Sequence, residues 1–208
     1  MPGRADSSSV LRLPKPVTSG GEAIWPLICH RRSLRTFSAT PLTLADLGQL
    51  LWATQGVTQT GWIPLRSAPS AGALYPIETY VSANRVEGLH RGLYHYTPRD
   101  HVLGQVYAGD AGEHLARAAL GQDVIAKAAA AFVWSAVPAR TETKYHRRAG
   151  RYIYLEVGHI AENLYLAAGA LGLGCCAIGA FDDDQVNQVL RVDGVRETAI
   201  YICAVGHR

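Results

Sequence analysis

The longest helical pattern in the chain runs from residue 151 to 173 and constrains the fold more than any other segment. Apolar residues recur in it at spacings of three and four, as they do along one face of an α-helix. Its other faces are largely apolar too, which predicts a helix buried on nearly all of its sides. The Gly172-Leu173-Gly174 segment ends it. The chain has 208 residues, a length within reach of one domain with a substantial core.

The rest of the chain predicts short strands interspersed with helices. Strand patterns cover residues 77–81, 92–96, 102–107, 131–137, 175–178 and 198–205, and helical patterns cover 44–55, 113–131 with a break near 121–123, and 184–190. Thr43 and Asp46 have the spacing of a capping box at the first of these helices. Residues 56–68 predict a loop, and the charged residues 140–150 predict a loop or an exposed helical turn. We expect a flexible arm over residues 1–20, rich in Ser, Pro and Gly, and one α+β domain over 21–208, with a mostly antiparallel sheet flanked by helices.

Charge and cysteine content narrow the function classes. The formal net charge is +3, and the basic residues cluster only briefly, so a small anionic ligand is favoured over nucleic acid. The four cysteines form no C-x-x-C pair and the eight histidines form no H-x-x-x-H pair, so no metal site is predicted. No signal peptide and no apolar stretch of about 18–20 residues are present, which predicts a cytoplasmic protein that does not span a membrane.

An arginine-rich cluster follows the apolar residues 24–30. Arg31, Arg32 and Arg35 flank Ser33 and Leu34. Guanidinium groups bind phosphate through paired charge-assisted hydrogen bonds, and a serine adds a neutral donor. The cluster therefore favours a phosphate monoester, although a solvated basic turn has the same composition.

A run of small residues lies between two prolines at positions 69 and 76. Small side chains let the backbone approach a flat ligand closely, and Ser70 offers a donor. A tight loop selected for packing is the alternative interpretation. Lys144 and Tyr145 lie in the charged segment and are candidate acid–base groups, or else members of an exposed polar loop.

Two further segments contain candidate binding groups. The glycine-rich residues 172–181 lack the G-x-G-x-x-G pattern of dinucleotide-binding folds. At the carboxy terminus His207 and Arg208 follow a strand. They either close a phosphate site or form a frayed basic tail.

The order of these segments resembles the nitroreductase superfamily, and within it the SagB-type dehydrogenases, over residues 24–208. The resemblance rests on Arg31-Arg32-Ser33-x-Arg35, Pro69-Ser70-Ala71-Gly72-Ala73-Leu74-Tyr75-Pro76, Lys144-Tyr145, Leu155-Glu156-x-Gly158-His159-x-x-x-Asn163 and Leu171-Gly172-Leu173-Gly174.

The resemblance implies a nitroreductase-like fold and non-covalent FMN at the interface of an intertwined homodimer. The residues expected at the phosphate and ribityl chain are Arg31, Arg32, Ser33 and Arg35, with His207 and Arg208 closing on the phosphate. Those expected at the flavin ring are Pro69, Ser70, Ala71, Gly72 and Ala73 from the partner subunit, together with Cys176, Ile178, Gly179 and Ala180.

The resemblance also implies an activity. Lys144 and Tyr145 match the lysine–tyrosine pair of the azoline oxidases, which assists proton removal while FMN accepts hydride and oxygen regenerates the flavin. The expected function is thus oxidation of thiazoline or oxazoline rings in a modified peptide, with a cyclodehydratase as a partner enzyme. Two alternatives stay open: an NAD(P)H-dependent nitro- or quinone reductase acting on small molecules, and a non-catalytic flavin-binding scaffold subunit.

Overall fold

A computed structural model of the protein describes residues 10–208. Its strands are β1 Val10–Arg12, β2 Val57–Gln59, β3 Leu65–Arg66, β4 Ile77–Ala83, β5 Gly92–Thr97, β6 Val102–Ala108, β7 Ala130–Ala136, β8 Leu173–Ile178 and β9 Thr198–His207. Its helices are α1 Ile24–His30, α2 Leu44–Gln55, α3 Ala111–Ala118, α4 Val124–Lys127, α5 Ala139–Tyr145, α6 Ala149–Ala170 and α7 Asp183–Leu190, with short 3-10 turns at Ala71–Ala73 and His146–Arg148.

Seven strands form one sheet in the order β1-β6-β5-β4-β7-β9-β8, and each neighbouring pair is antiparallel. β7 lies inside the sheet and is buried along its whole length, as its continuous apolar run predicts. Phe132 and Trp134 point into a core shared with α2 and α6, whereas Ala131 and Val133 point into a second core shared with α3, α4 and α7. The expected α+β architecture with a mostly antiparallel sheet flanked by helices is confirmed.

Helix α2 begins as its sequence predicts. The Thr43 hydroxyl accepts a hydrogen bond from the Asp46 backbone N–H at 3.0 Å, and the Asp46 carboxylate accepts from the Thr43 backbone N–H at 3.3 Å. This reciprocal capping satisfies two backbone donors that the first helical turn leaves without partners. The buried face of α2, which includes Leu47, Leu50 and Leu51, belongs to the same core as α6.

Helix α6 is less buried in the single chain than its sequence predicts. One face carries Ile153 and Ile160, which are almost fully buried in the core. On another face the side chains of Tyr154 and Leu155 are 66% and 55% exposed. The expectation of burial on nearly all sides is wrong for one chain, because the core covers only one stripe of the helix.

Two other segments within the predicted domain differ from their sequence predictions. The helical pattern predicted over 113–131 ends at Lys127, where Asn84 donates hydrogen bonds to the carbonyls of Ile125 and Ala128. Pairing with β4 and β9 then overrides the helix propensity of the following alanines. The predicted loop at 56–68 contains the β2–β3 hairpin, since a two-stranded ribbon this short has little periodicity to detect.

The predicted amino-terminal arm contains an ordered strand. β1 pairs with β6 at the edge of the sheet, in the register Leu11 to Leu103. The part of the predicted arm from residue 1 to 9 lies outside the described residues. The charged residues 140–150 adopt the helical alternative, as most of α5 and the 3-10 turn that follows it.

Candidate functional site

A basic cleft lies between the end of α1 and the end of α6. It has a volume of about 350 Å³ and includes Arg31, Arg32 and Arg208 among its lining residues. Glu22 is the one acidic side chain among the lining residues in the described part of the chain, against three arginines. The fold thus brings the predicted amino-terminal arginine pair and the terminal arginine to one basic surface.

Local contacts orient the two amino-terminal arginines. The Arg32 guanidinium donates to the carbonyls of Cys29 and Arg31 at 3.1 and 2.7 Å, which satisfies acceptors at the end of α1. The Arg31 guanidinium carbon lies 5.2 Å from the centroid of the Tyr165 ring, a cation–π distance.

Ser33 joins this cleft to the edge strand β8 through Tyr165. The hydroxyl oxygens of Ser33 and Tyr165 are 2.9 Å apart, and the Ala177 backbone N–H donates to the Tyr165 oxygen at 2.7 Å. Leu34 N–H donates to the Cys175 carbonyl at 2.9 Å. Tyr165 is absent from the residues predicted from the sequence, because an aromatic side chain in an apolar helix has the pattern of a core residue.

The remaining residues predicted at the ring edge lie along β8 and the turn after it. Cys176 and Ile178 are buried in the sheet, while Gly179 and Ala180 are exposed. Burial raises the pKa of the Cys176 thiol, which keeps it protonated and a poor nucleophile.

Three of the residues predicted at the phosphate and ribityl chain, Ser33, Arg35 and His207, lie outside the lining of the basic cleft. Arg35 is exposed in the segment after Ser33. His207 ends β9 opposite Leu173, and its carbonyl accepts a hydrogen bond from the Ser38 N–H at 2.9 Å. Only Arg208 of the predicted carboxy-terminal pair reaches the cleft itself.

The predicted acid–base pair lies against the predicted small-residue loop. Gly72, in the 3-10 turn of that loop, has a φ of +65°. The Lys144 ammonium nitrogen and the Tyr145 hydroxyl oxygen lie 2.9 and 3.1 Å from the position that a β-carbon on Gly72 would occupy. Two segments far apart in sequence therefore meet, with both polar groups directed at the loop.

Pro69 and the flanking alanines complete that loop, and Ser70 anchors it. The Ser70 hydroxyl donates to a carboxylate oxygen of Glu156 on α6 at 2.5 Å and accepts the Tyr75 backbone N–H at 2.9 Å. Glu156 is only 3% exposed. Burial raises the pKa of Glu156 to about 7, against the lowering effects of the Ser70 hydrogen bond and the Arg66 charge. Glu156 belongs to the resemblance, but no site role was predicted for it.

A partly buried ionic cluster holds α5 in place beside the loop. Arg140 donates to Glu78 on β4 and also to the Tyr75 carbonyl at 2.9 Å. His95 on β5 contacts the same Glu78 carboxylate at 2.8 Å. Burial alone would raise the pKa of Glu78, but its contacts with His95 and Arg140 lower it to about 2. The pair Lys144–Tyr145 is thereby fixed to the sheet through the first turn of its own helix.

The two groups of candidate residues lie along the same helix. Tyr165 at the basic cleft and Glu156 under the loop are nine positions apart on α6, which corresponds to roughly 14 Å along the helix axis. Over residues 10–208 no cluster of three or more metal-ligating side chains occurs, and no helix is long and apolar enough to cross a membrane.

Known sequences resemble this chain over most of its length. A protein of Methanocaldococcus jannaschii named as a nitroreductase is 38% identical over 88% of this chain and 89% of its own length. The trifolitoxin-processing protein TfxB of Rhizobium leguminosarum is 29% identical over 71% of this chain. The microcin B17-processing protein McbC of Escherichia coli is 29% identical over 62% of it. The matches span only 41% and 49% of the lengths of these two processing proteins.

Solved structures share the fold. A Ralstonia eutropha protein described as a nitroreductase superimposes with a TM-score of 0.80 and 29% identity, over 100% of this chain and 94% of that one. The E. coli microcin synthetase McbBCD complex contains a chain with a TM-score of 0.75 and 24% identity, over 98% of this chain and 79% of that one. A Desulfovibrio desulfuricans nitroreductase in complex with FMN gives a TM-score of 0.63 at 18% identity, over 90% and 87%.

The family model described as "Nitroreductase family" matches residues 28–207, which include most of the residues lining the basic cleft and the loop that carries Gly72. With that match, and with 38% identity to the M. jannaschii protein, the chain belongs to the nitroreductase family.

Proposed function

We propose that this protein is an FMN-dependent dehydrogenase of the SagB type that oxidises thiazoline or oxazoline rings in peptides. The observation that carries the proposal is the convergence of the Lys144 ammonium and the Tyr145 hydroxyl on the Gly72 turn. Similarity to two peptide-processing proteins supports a modified peptide as the substrate.

The basic cleft fits the FMN phosphate. Arg31, Arg32 and Arg208 offer guanidinium donors on a surface whose one acidic side chain is Glu22, and Ser33 adds a hydroxyl nearby. A dianionic phosphate is the kind of group that such a surface stabilises. We assign these four residues to the phosphate and ribityl chain, with Arg35 and His207 in an outer position.

The flavin ring would lie against backbone at two places. The Cys175 carbonyl and the Ala177 N–H point away from β9, toward Leu34 and Tyr165. Backbone groups alternate in direction along a strand, so the next residue to point this way is Gly179, which is exposed. We assign the ring edge to Gly179 and Ala180. The opposite contact is assigned to the loop of residues 69–73 in the partner subunit.

A homodimer supplies that partner loop. The exposed face of α6, with Tyr154 and Leu155, and the exposed side chains Trp25 and Ile28 of α1 present apolar surface in the single chain. Large exposed apolar patches commonly mark protein interfaces. We propose that a second copy of the chain covers this surface, which also explains why the sequence of α6 is apolar on nearly all sides.

Ring oxidation removes a proton from one carbon and a hydride from its neighbour. When bound, FMN would supply the hydride acceptor, with oxygen as the final electron acceptor. One member of the Lys144–Tyr145 pair, in its deprotonated form, accepts the proton, and the Arg140–Glu78 contact holds their helix in register with the loop. The catalytic contribution of such a positioned acid–base pair is about 100- to 10,000-fold.

A second candidate function is NAD(P)H-dependent reduction of a nitro compound or quinone. It is favoured by the 38% identity to the M. jannaschii protein named as a nitroreductase. The same cofactor site would serve it, whereas Lys144 and Tyr145 would have no required role.

The first function also implies a cyclodehydratase partner to form the ring, and the likeness to a chain of the McbBCD complex supports that proposal.

One experiment separates these functions. The purified protein, loaded with FMN, is incubated with a thiazoline peptide, and the peptide is followed by mass spectrometry. We expect loss of two hydrogens without NADPH, a loss that Lys144→Ala and Tyr145→Phe slow at least 100-fold. Lys127→Ala changes another exposed lysine and is expected to leave the rate unchanged. Flavin bleaching by NADPH with nitroaromatic turnover and no peptide oxidation would establish the second function instead. A protein that binds FMN but converts neither substrate would leave the flavin-binding scaffold, and a protein that retains no FMN would exclude both enzymatic functions.

A further inference from the structure

The contact between Ser70 and Glu156 joins a hydroxyl in the loop to a buried carboxyl in the helix beneath it. A serine hydroxyl has one hydrogen to donate and two lone pairs to accept with. One lone pair accepts the Tyr75 N–H. The 2.5 Å contact with Glu156 must therefore use either the hydroxyl hydrogen or the second lone pair.

The proton on Glu156 decides between these two arrangements. A carboxylate only accepts, so when Glu156 is charged Ser70 has to direct its hydrogen inward. A protonated Glu156 gains a hydroxyl that can donate to Ser70, and in that arrangement the Ser70 hydrogen is free to point out of the loop. Both arrangements satisfy the buried groups, so the loop does not need to move between them.

The surroundings of Glu156 make both states accessible near neutral pH. Its side chain is buried, which disfavours the charge, and the guanidinium of Arg66 on β3 faces it, which favours the charge. Arg66 is itself held by Gln55 at 2.8 Å and lies 4.3 Å from the Tyr75 ring centroid. These opposing effects leave the pKa of Glu156 at about 7.

We propose that Glu156 is a positioning residue that sets the direction in which Ser70 donates its hydrogen, and so controls whether this loop can hydrogen-bond to a bound flavin. The inference rests on the proposed FMN function. It makes hydrogen-bond donation by Ser70, which the sequence predicts, depend on the protonation of Glu156. Lys144 and Tyr145 approach the same loop at Gly72, two residues from Ser70, and Arg140 donates to the Tyr75 carbonyl of the loop at 2.9 Å.

The test compares FMN affinity of the full-length protein at pH 6 and pH 8 by flavin fluorescence. We divide the FMN affinity of the wild type by that of Glu156→Gln at each pH. We expect this ratio to be roughly fivefold higher at pH 6 than at pH 8, which corresponds to about one neutral hydrogen bond. A glutamine has no proton to lose, whichever way its amide turns. The ratio of the two proteins cancels the pH dependence of the FMN phosphate, which titrates with a pKa of about 6.

Three further measurements complete the test. Glu162→Gln makes the same change at an exposed position of α6 and is expected to keep the wild-type pH dependence. Ser70→Ala is expected to lose it. Infrared spectra of the flavin-free protein should show a protonated carboxyl band that titrates near pH 7, is absent in Glu156→Gln and shifts in Ser70→Ala.

The outcomes separate the inference from the function on which it rests. FMN binding with the same pH dependence in the wild type and Glu156→Gln would overturn the inference and leave the proposed function standing. The absence of a titrating carboxyl band would overturn it as well. Absence of FMN binding in the wild type at either pH would overturn the proposed function together with the inference.

Discussion

The ammonium nitrogen of Lys144 lies 2.9 Å from the point that a β-carbon on Gly72 would occupy. Real β-carbons essentially never approach a heavy atom so closely, and the φ of +65° at Gly72 is also unfavourable for other residues. The missing side chain therefore leaves room for the end of Lys144 to rest on the turn. The Tyr145 hydroxyl oxygen lies 3.1 Å from the same point.

Gly72→Ala is predicted to impair ring oxidation more than it impairs folding. The backbone conformation should cost about 1–2 kcal/mol of unfolding free energy, and the new methyl group must also displace Lys144. A displacement of about 1 Å at a catalytic group can reduce the rate about 100-fold. The measurements are denaturant unfolding and the rate of thiazoline oxidation.

Gly88→Ala is the matched control for this substitution. Gly88 has a φ of +72°, but a β-carbon there would meet no atom within 4 Å. Its stability loss should resemble that of Gly72→Ala, with full activity. Equal activity in the two variants would show that the space over Gly72 does not position Lys144.

Arg31→Ala is predicted to weaken FMN binding because it removes a contact with the FMN phosphate and leaves the contacts with the rest of the flavin in place. A charge-assisted hydrogen bond contributes about 1.5–3 kcal/mol, so the dissociation constant should rise roughly 10- to 100-fold. Riboflavin lacks the phosphate, and its affinity should stay the same. Arg99→Ala removes another exposed arginine as a control. If riboflavin binding fell as far as FMN binding, Arg31 would be acting through the fold of the cleft.

Leu155→Arg is predicted to dissociate the proposed homodimer. The Leu155 side chain is 55% exposed on the open face of α6, and a charge placed in a covered apolar interface would be desolvated at high cost. Light scattering should report the monomer mass, and FMN should be lost because the partner loop is removed. Leu120→Arg, at a leucine that is 71% exposed after α3, should change neither property. A dimer that survives Leu155→Arg would place the interface elsewhere.

Much of the fold could be predicted because its strongest patterns are local. The buried β7 strand, the Thr43–Asp46 cap and the α6 helix each follow from residues close together in sequence. The end of the alanine-rich helix could not be predicted in this way. It depends on Asn84, which binds the carbonyls of Ile125 and Ala128 across the tertiary fold.

The same difference between local patterns and long-range contacts applies to the candidate site. The arginine cluster and the small-residue loop carry recognisable residue types, and the expected flavin contacts at both are still predictions. Glu156 and Tyr165 carry no such signal, since each lies within an apolar helix and contacts its partner, Ser70 or Ser33, from a distant part of the chain. Only the packing of α6 shows that these side chains meet the two predicted segments.

Glu78→Gln is predicted to flatten the acid limb of the stability curve. The pKa of Glu78 is lowered from 4.5 to about 2, since the hydrogen bond and charge of His95 and the charge of Arg140 outweigh the effect of burial. A carboxyl with a lowered pKa contributes stability that is fully present above its unfolded pKa of 4.5 and is lost as the pH falls toward 2. The whole contribution is about 3 kcal/mol, and about 2 kcal/mol of it should disappear between pH 4.5 and pH 3.

Urea unfolding at pH 4.5, 4.0, 3.5 and 3.0 measures this loss. The glutamine variant should start less stable, because Arg140 loses its charged partner, but its unfolding free energy should fall less steeply, by about 1 kcal/mol per pH unit over this range. Glu113→Gln, at an exposed glutamate of α3, should keep the wild-type slope. Glu156 contributes with the opposite sign, because its raised pKa gives stability that is present below pH 4.5 and is lost as the pH rises through 7. Glu156 therefore contributes little to the slope below pH 4.5. If the unfolding free energies of the wild type and Glu78→Gln fell in parallel below pH 4.5, the His95 and Arg140 contacts would not hold Glu78 ionised.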